Sequence, residues 1–129
     1  MEEKTKIKSF TDLNAWKEAH KLALMIYKIS KCFPKEEMFG LTSQLRRCAV
    51  SICSNIAEGF SRNSYKDKVQ FYSISQGSVT ELQSQVLIAK DIEYLSKEDF
   101  KKLADQSIIV HKLINGLIKK SKEIINHNS

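Results

Sequence analysis

The chain has 129 residues and a mass of 14.8 kDa, the size of one ordinary domain over residues 1–129. Its 42% hydrophobic and 28% charged residues supply a core and exclude wholesale disorder. One proline and four glycines are too few for the turns of a β-sandwich or barrel, and collagen-like, proline-rich and linker-like classes fall with it.

The net charge is +6, and it is spread out. Residues 1–39 hold eight cations against six anions, 40–64 three against one, 65–90 three against two, and 91–129 seven against six. Such a field suits weak attraction to nucleic acid or another acidic surface; a merely solvated exterior is the alternative. Several copies around an axis would multiply it. Cys32, Cys48 and Cys53 are odd in number, so they make no disulfide framework, and they sit in apolar stretches where free cysteine behaves as a small hydrophobe. The opening MEEKTKIKSF lacks the apolar run of a signal peptide. No stretch approaches the roughly 18 apolar residues of a membrane span. A reduced, cytoplasmic protein is the expectation.

Four helices are predicted. Ser9 with Asp12, Ser64 with Asp67 and Ser96 with Asp99 each place a hydroxyl at a candidate N-cap and a carboxylate three residues on. The first helix is expected over about 11–31. Leu13, Trp16, His20, Ala23 and Tyr27 recur along it at helical spacing, and Phe33-Pro34 ends it. The second, over about 38–58, opens after Pro34, Glu36 and Glu37 and stops at Gly59. The third spans about 64–94. The fourth spans about 96–126, with Phe100, Leu103, Ser107, Val110, Ile114, Leu117 and Ile124 on one face. Short connections make neighbours antiparallel. The predicted fold is therefore an all-α, up-down-up-down four-helix bundle.

The second helix has an unusually wide apolar arc. Leu41, Leu45, Cys48, Ala49, Val50, Ile52, Cys53, Ile56 and Ala57 cover roughly 200° of its circumference, where a surface helix needs about 100°. That excess predicts burial between subunits. Ser51, Asn55 and Glu58 lie on the remaining arc, with Arg47 and Glu58 expected to pair with other helices. The third helix has no charge from Val69 to Thr80 and carries Gly77 in its middle, with Glu81 just beyond. Small residues there let another backbone come close, either inside one bundle or between copies of it.

No residue set amounts to a catalytic signature. A di-iron bundle needs Glu-x-x-His pairs, but the residues three before His20, His111 and His127 are Lys17, Ile108 and Ile124. Cys48 and Cys53 lie about 140° apart around one helix, unsuited to one ion. His20 and His111 fall on apolar faces and read as core or interface residues. Phosphate-binding glycine loops are absent, no base is placed beside a serine or cysteine nucleophile, and Glu58 and Glu81 read as ion-pair partners of arginines. The expectation is a non-enzyme with no metal or cofactor. The candidate phosphate contacts are Arg46, Arg47, Arg62, Lys66 and Lys68, with Tyr65 and Tyr72 as possible stacking platforms. Lys119, Lys120 and Lys122 form a second basic spot. Solvated lysines and a core Tyr72 are the plainer alternative.

The run Leu41-Thr42-Ser43-Gln44-Leu45-Arg46-Arg47-Cys48-Ala49-Val50-Ser51-Ile52, followed by Ser54-Asn55-Ile56-Ala57-Glu58-Gly59, resembles the signature of a bacterial four-helix bundle family, the rRNA intervening-sequence proteins. Phe10-Thr11-Asp12-Leu13 with Trp16, Phe33-Pro34, Arg62 with Ser64, and Gly77-Ser78 with Glu81-Leu82 match as well. The likeness covers roughly residues 10–95. It implies a ring-like homopentamer with a basic surface and no known catalysis. The family is also similar to the accessory protein of diversity-generating retroelements, a basic pentamer that contacts reverse transcriptase and nucleic acid. RNA or DNA, further copies of the chain, or a protein encoded nearby are thus the implied partners. Two departures stand out: Cys48 and Cys53 replace alanine and often proline, and Ile92-Glu93-Tyr94-Leu95 replaces a more usual Leu-Gly-Tyr-Leu. Neither is expected to alter the fold.

Overall fold

The computed structural model describes residues 6–128; residues 1–5 and 129 of the expected domain lie outside the described residues. Four α-helices account for most of the chain: α1 Asn14–Ser30, α2 Leu41–Ser61, α3 Tyr65–Asp91 and α4 Lys97–Asn128. No strand occurs among the described residues. Among the described residues, no helix is long and apolar enough to cross a membrane. Each helix packs on two others, and α4 closes back on α1. The directions are fixed by cross-helix pairs. Ser51 and Ser78 hydroxyls meet at 2.9 Å, and Gln44 and Gln85 amides at 3.4 Å, so α2 descends as α3 ascends. Gln83 to Ser107 and Gln76 to His111 give the same antiparallel sense for α3 and α4.

The three serine caps form. Ser64 Oγ accepts from Asp67 N and Ser96 Oγ from Asp99 N, opening α3 and α4. Ser9 makes a complete capping box with Asp12, but it caps a 3-10 turn, Phe10–Asp12, and α1 starts after Leu13 without a side-chain cap. Pro34 likewise opens a 3-10 turn, Lys35–Glu37, rather than α2. Glu37 still serves α2, because its carboxylate accepts from Leu41 N at 3.3 Å. The other carboxylate oxygen of Glu37 accepts from Tyr94 OH at 2.9 Å, which pushes the Tyr94 phenol pKa up.

Two sequence expectations need correction in the core. Gly59 does not stop α2, which runs on to Ser61. Gly59 is buried where α3 crosses. The buried face of α1 is Ala15, Ala19, Leu22, Ala23, Ile26 and Ser30, turned about 90° from the aromatic stripe. Small alanines take the close contact, while the aromatics lie at the core's edge. There Trp16 stacks on the exposed His20, with ring centroids 4.8 Å apart. His20 is therefore not a core residue.

The α2 arc is covered more fully than its width suggests. Leu45, Cys48, Ala49, Ile52 and Ile56 are buried by α1 and α3, Leu41, Cys53 and Ala57 are half-covered, and only Val50 is exposed, at 46%. A single chain therefore shields eight of the nine arc residues, and the arc's width alone does not require partner copies. The reason is geometric: α2 is clasped by two neighbours at once, so one narrow apolar stripe does not suffice for it.

Candidate nucleic-acid interface

The five candidate cations occupy two places. Arg46 and Arg47 lie in the first half of α2, and Arg62, Lys66 and Lys68 lie at the α2–α3 corner. Sixteen residues of helix separate Arg46 from Arg62, about 24 Å. No single patch joins them.

Three of the five are engaged within the chain. Arg46 Nε donates to Ser30 Oγ at 3.0 Å, and its guanidinium lies 4.9 Å from the Tyr27 ring centroid, so it ties α2 to α1. Arg62 donates to Glu58 at 2.6 Å and lies over the Phe71 ring at 4.6 Å. Glu58 is thus paired one turn along its own helix end rather than with another helix. Lys68 Nζ donates to the Phe60 and Gly59 carbonyls at 2.6 and 3.3 Å. It satisfies the last turn of α2, and burial lowers its pKa. Arg47 and Lys66 are exposed, and neither side chain makes a hydrogen bond or ion pair among the described residues.

The structure does bring together two clusters that lie far apart in sequence. A groove of about 240 Å³ at one end of the bundle is lined by Tyr65 and Lys68 of α3 and by Lys120 of α4, together with the apolar Leu13, Phe60 and Leu117. Lys120, from the C-terminal basic spot, therefore shares a site with the α2–α3 corner. Tyr65 is 39% exposed there, whereas Tyr72 is 3% exposed and belongs to the core. Only Tyr65 can offer a ring face to a base.

Arg47 borders a different feature. A groove of about 490 Å³ between α2 and α3 is lined by Gln44, Arg47, Val50, Ser51, Ser78 and Glu81. One turn beyond Ser51, Asn55 Nδ2 donates to the Ser51 carbonyl and hydroxyl oxygens at 2.9 and 3.1 Å. Burial, reinforced by a bond to Glu81, pushes the Cys48 thiol up to about 11. A second groove, of about 430 Å³, holds Tyr27, Met38, Phe39 and Val50 beside Arg46 and Arg47. Val50 forms the ridge between the two. Phe39 is 96% exposed. Gly77 lies on the outer face of α3, where a Cβ would meet nothing within 4 Å, so it serves no close packing inside the chain. Among the described residues, no group of three or more His, Cys, Asp or Glu could hold a metal ion.

Sequence reasoning missed one basic feature, the outward face of α1, although its lysines recur at helical spacing. Its composition drew no notice because residues 1–39 also hold six anions.

The comparisons with known proteins agree with this architecture. A crystal structure of a protein of unknown function from the S23 ribosomal protein family, from Bacteroides thetaiotaomicron VPI-5482, superimposes with a TM-score of 0.75. It is 23% identical, and the match covers 81% of this chain and 95% of that one. That likeness shows the four-helix fold. No curated protein matches the chain. The model of the 23S rRNA-intervening sequence proteins matches residues 11–116, reaching well into α4 and beyond the stretch where motifs are visible by eye. With four-fifths of its length so matched, the chain belongs to the 23S rRNA-intervening sequence protein family.

Proposed function

We propose that this chain is a non-enzymatic bundle that assembles with copies of itself, as a ring-like homopentamer, and binds RNA or DNA weakly and without sequence preference. The observation that carries the nucleic-acid reading is the convergence of Lys68, Lys120 and Tyr65 in one groove, with Arg62 and Lys66 beside it on the same corner. Lys68 is bonded to carbonyls, yet its charge still adds to the local field. Exposed Met38, Phe39 and Val50 beside the unpaired Arg47 support self-association at the α2 grooves. Binding through phosphate contacts gives dissociation constants in the range of about 10⁻⁴–10⁻⁶ M and a steep loss with salt.

A mobility-shift titration with RNA and DNA of unrelated sequences checks this. Retardation of all of them at low salt, lost as salt rises, is the expected result. Absence of retardation at the lowest salt removes the reading.

A second reading is a scaffold for a protein encoded nearby, with no direct nucleic-acid role. It is favoured by an apolar groove of about 240 Å³ between α3 and α4, lined by Val86, Leu87, Phe100, Ala104 and Ile108. Recovery of one specific protein from the native host after nuclease treatment, with no nucleic-acid retardation, selects it.

A further inference from the structure

The outward face of α1 is a rod of positive charge. With Lys17 at zero on a helical wheel, Lys28 and Lys21 fall at about 20° and 40°, and Lys31, just past the helix end, at about −40°. All four are exposed, on the side opposite the buried Ala15, Ala19, Leu22 and Ile26. Leu24, 58% exposed, sits among them. From Lys17 to Lys31 the rod is about 21 Å long. It begins at the basic end of the bundle, because Leu13, one turn before Lys17, lines the groove that holds Lys68 and Lys120.

These lysines are not used by the fold. Lys101 and Lys102 of α4 are each paired with an acid one turn away, at 2.8 and 3.2 Å. None of the four lysine ammonium groups makes a hydrogen bond or ion pair among the described residues. Glu18, the one acid in α1, lies about 100° from Lys17, where its backbone carbonyl accepts from Gln106 Nε2 at 2.9 Å. Asp12 is the acid on which a rod lysine, Lys17, acts. Its carboxyl is held below the usual range chiefly by the Lys8 and Ser9 backbone N–H groups, with Lys17 adding to the effect. That acid touches only one end of the rod.

We propose that the α1 lysine face receives the sugar–phosphate backbone of double-stranded nucleic acid. The inference rests on the nucleic-acid reading above, and it names the duplex as the ligand and α1 as the surface. A straight line of cations matches a regularly charged rod, and a duplex carries about one charge per 1.7 Å of its axis. Single-strand binders add aromatic platforms for bases. This arc has no Phe, Tyr or Trp, and His20 at its edge is already stacked on Trp16. Four phosphate contacts contribute about 3.6 to the slope of log affinity against log salt.

The test uses the full chain and fluorescence anisotropy with a DNA duplex, an RNA duplex and a single strand. The variant replaces Lys17, Lys21, Lys28 and Lys31 by Gln, which has nearly the same helix propensity. A charge-matched control replaces Lys97, Lys101, Lys102 and Lys112 by Gln. The expected result is at least tenfold weaker duplex binding by the α1 variant, a salt slope shallower by about 3.6, and near-parental binding by the control. Circular dichroism melts establish that both variants fold. If the parent binds duplex and the α1 variant binds equally well, this inference fails while the broader reading stands. Equal loss in both variants means net charge alone matters, and it also overturns the inference. Tighter parental binding to the single strand than to either duplex overturns it too. No binding by the parent to any nucleic acid ends both readings.

Discussion

Gly59 of α2 lies so close to Tyr72 of α3 that a Cβ at position 59 would stand 2.7 Å from the ring's Cε1 and 3.1 Å from Phe71 Cβ. Tyr72 is 3% exposed and packed in the core. The glycine is there for helix approach, not for helix termination. Gly59→Ala gains about 1 kcal/mol of helix propensity, but overpacking costs about 1–3 kcal/mol. The Tyr72 ring is buried and Phe71 Cβ is fixed to the α3 backbone, so the cost wins and the urea midpoint of the variant falls. A midpoint at or above the parent's means the α2–α3 crossing is looser than described.

Gly77 is the opposite case. It is exposed in mid-helix with open space where a side chain would go. Gly77→Ala is expected to stabilise the isolated chain by about 0.5–1 kcal/mol. Any loss of assembly in Gly77→Leu then reports contact with another copy, since nothing within its own chain is disturbed.

Val50 supplies a sharper test of assembly. It is the exposed member of the α2 arc and separates the two α2 grooves. Light scattering of the parent is expected at five times 14.8 kDa. Val50→Lys is expected to fall to the single-chain mass while keeping its helical signal, because Val50 makes little of the chain's own core. A parent that stays at 14.8 kDa on concentration contradicts the pentamer.

The three thiols separate by environment. Cys32 is exposed, Cys48 is buried and Cys53 is half-buried. Burial pushes both Cys48 and Cys53 from 9.0 up to about 11, so near pH 8 only about one in a thousand of each is thiolate. A disulfide reagent at that pH is expected to find one fast thiol, abolished by Cys32→Ser. The same shifts bear on stability. The folded chain keeps these protons where the unfolded chain loses them, so their contribution is complete below pH 9.0 and disappears as pH rises towards about 11. Melting temperatures measured across that interval should decline, and Cys48→Ala should flatten the decline.

Periodicity made the helices legible, and hydroxyl-plus-acid pairs marked two of the four starts to the residue. What failed were the choices that depend on a neighbour. Ser9 and Pro34 looked like α-helix starts, because a 3-10 turn uses the same caps. The α1 stripe through Trp16 and Tyr27 looked like core, because sequence weighs an aromatic above an alanine, whereas the closest helix contacts select the alanine. At the candidate site, the types of residue were readable but not their state. Arg46, Arg62 and Lys68 are tied to Ser30, Glu58 and two carbonyls, and only the fold reveals which cations are left unpaired. The meeting of Lys68 with Lys120 spans 52 positions of chain, beyond the reach of local pattern.

The turn between α3 and α4 holds the clearest local strain. Glu93 has φ 66°, the one non-glycine residue with positive φ among those described. Its N–H donates to Lys90 O, and Tyr94 N–H donates to Ala89 O, closing α3 in a Schellman-type arrangement. That position wants glycine, which enters the left-handed region without the penalty of roughly 1 kcal/mol or more that a Cβ imposes. The Glu93 departure from the family's usual Leu-Gly-Tyr-Leu therefore does bear on the fold, by weakening this helix end. Glu93→Gly is expected to raise stability by about 1 kcal/mol, with α3 and α4 amides near the turn better protected from hydrogen exchange. Glu93→Val, β-branched and with no means of bonding locally, should lower it. Should glycine destabilise and valine be neutral in the same urea titration, the turn does not hold the left-handed conformation in solution.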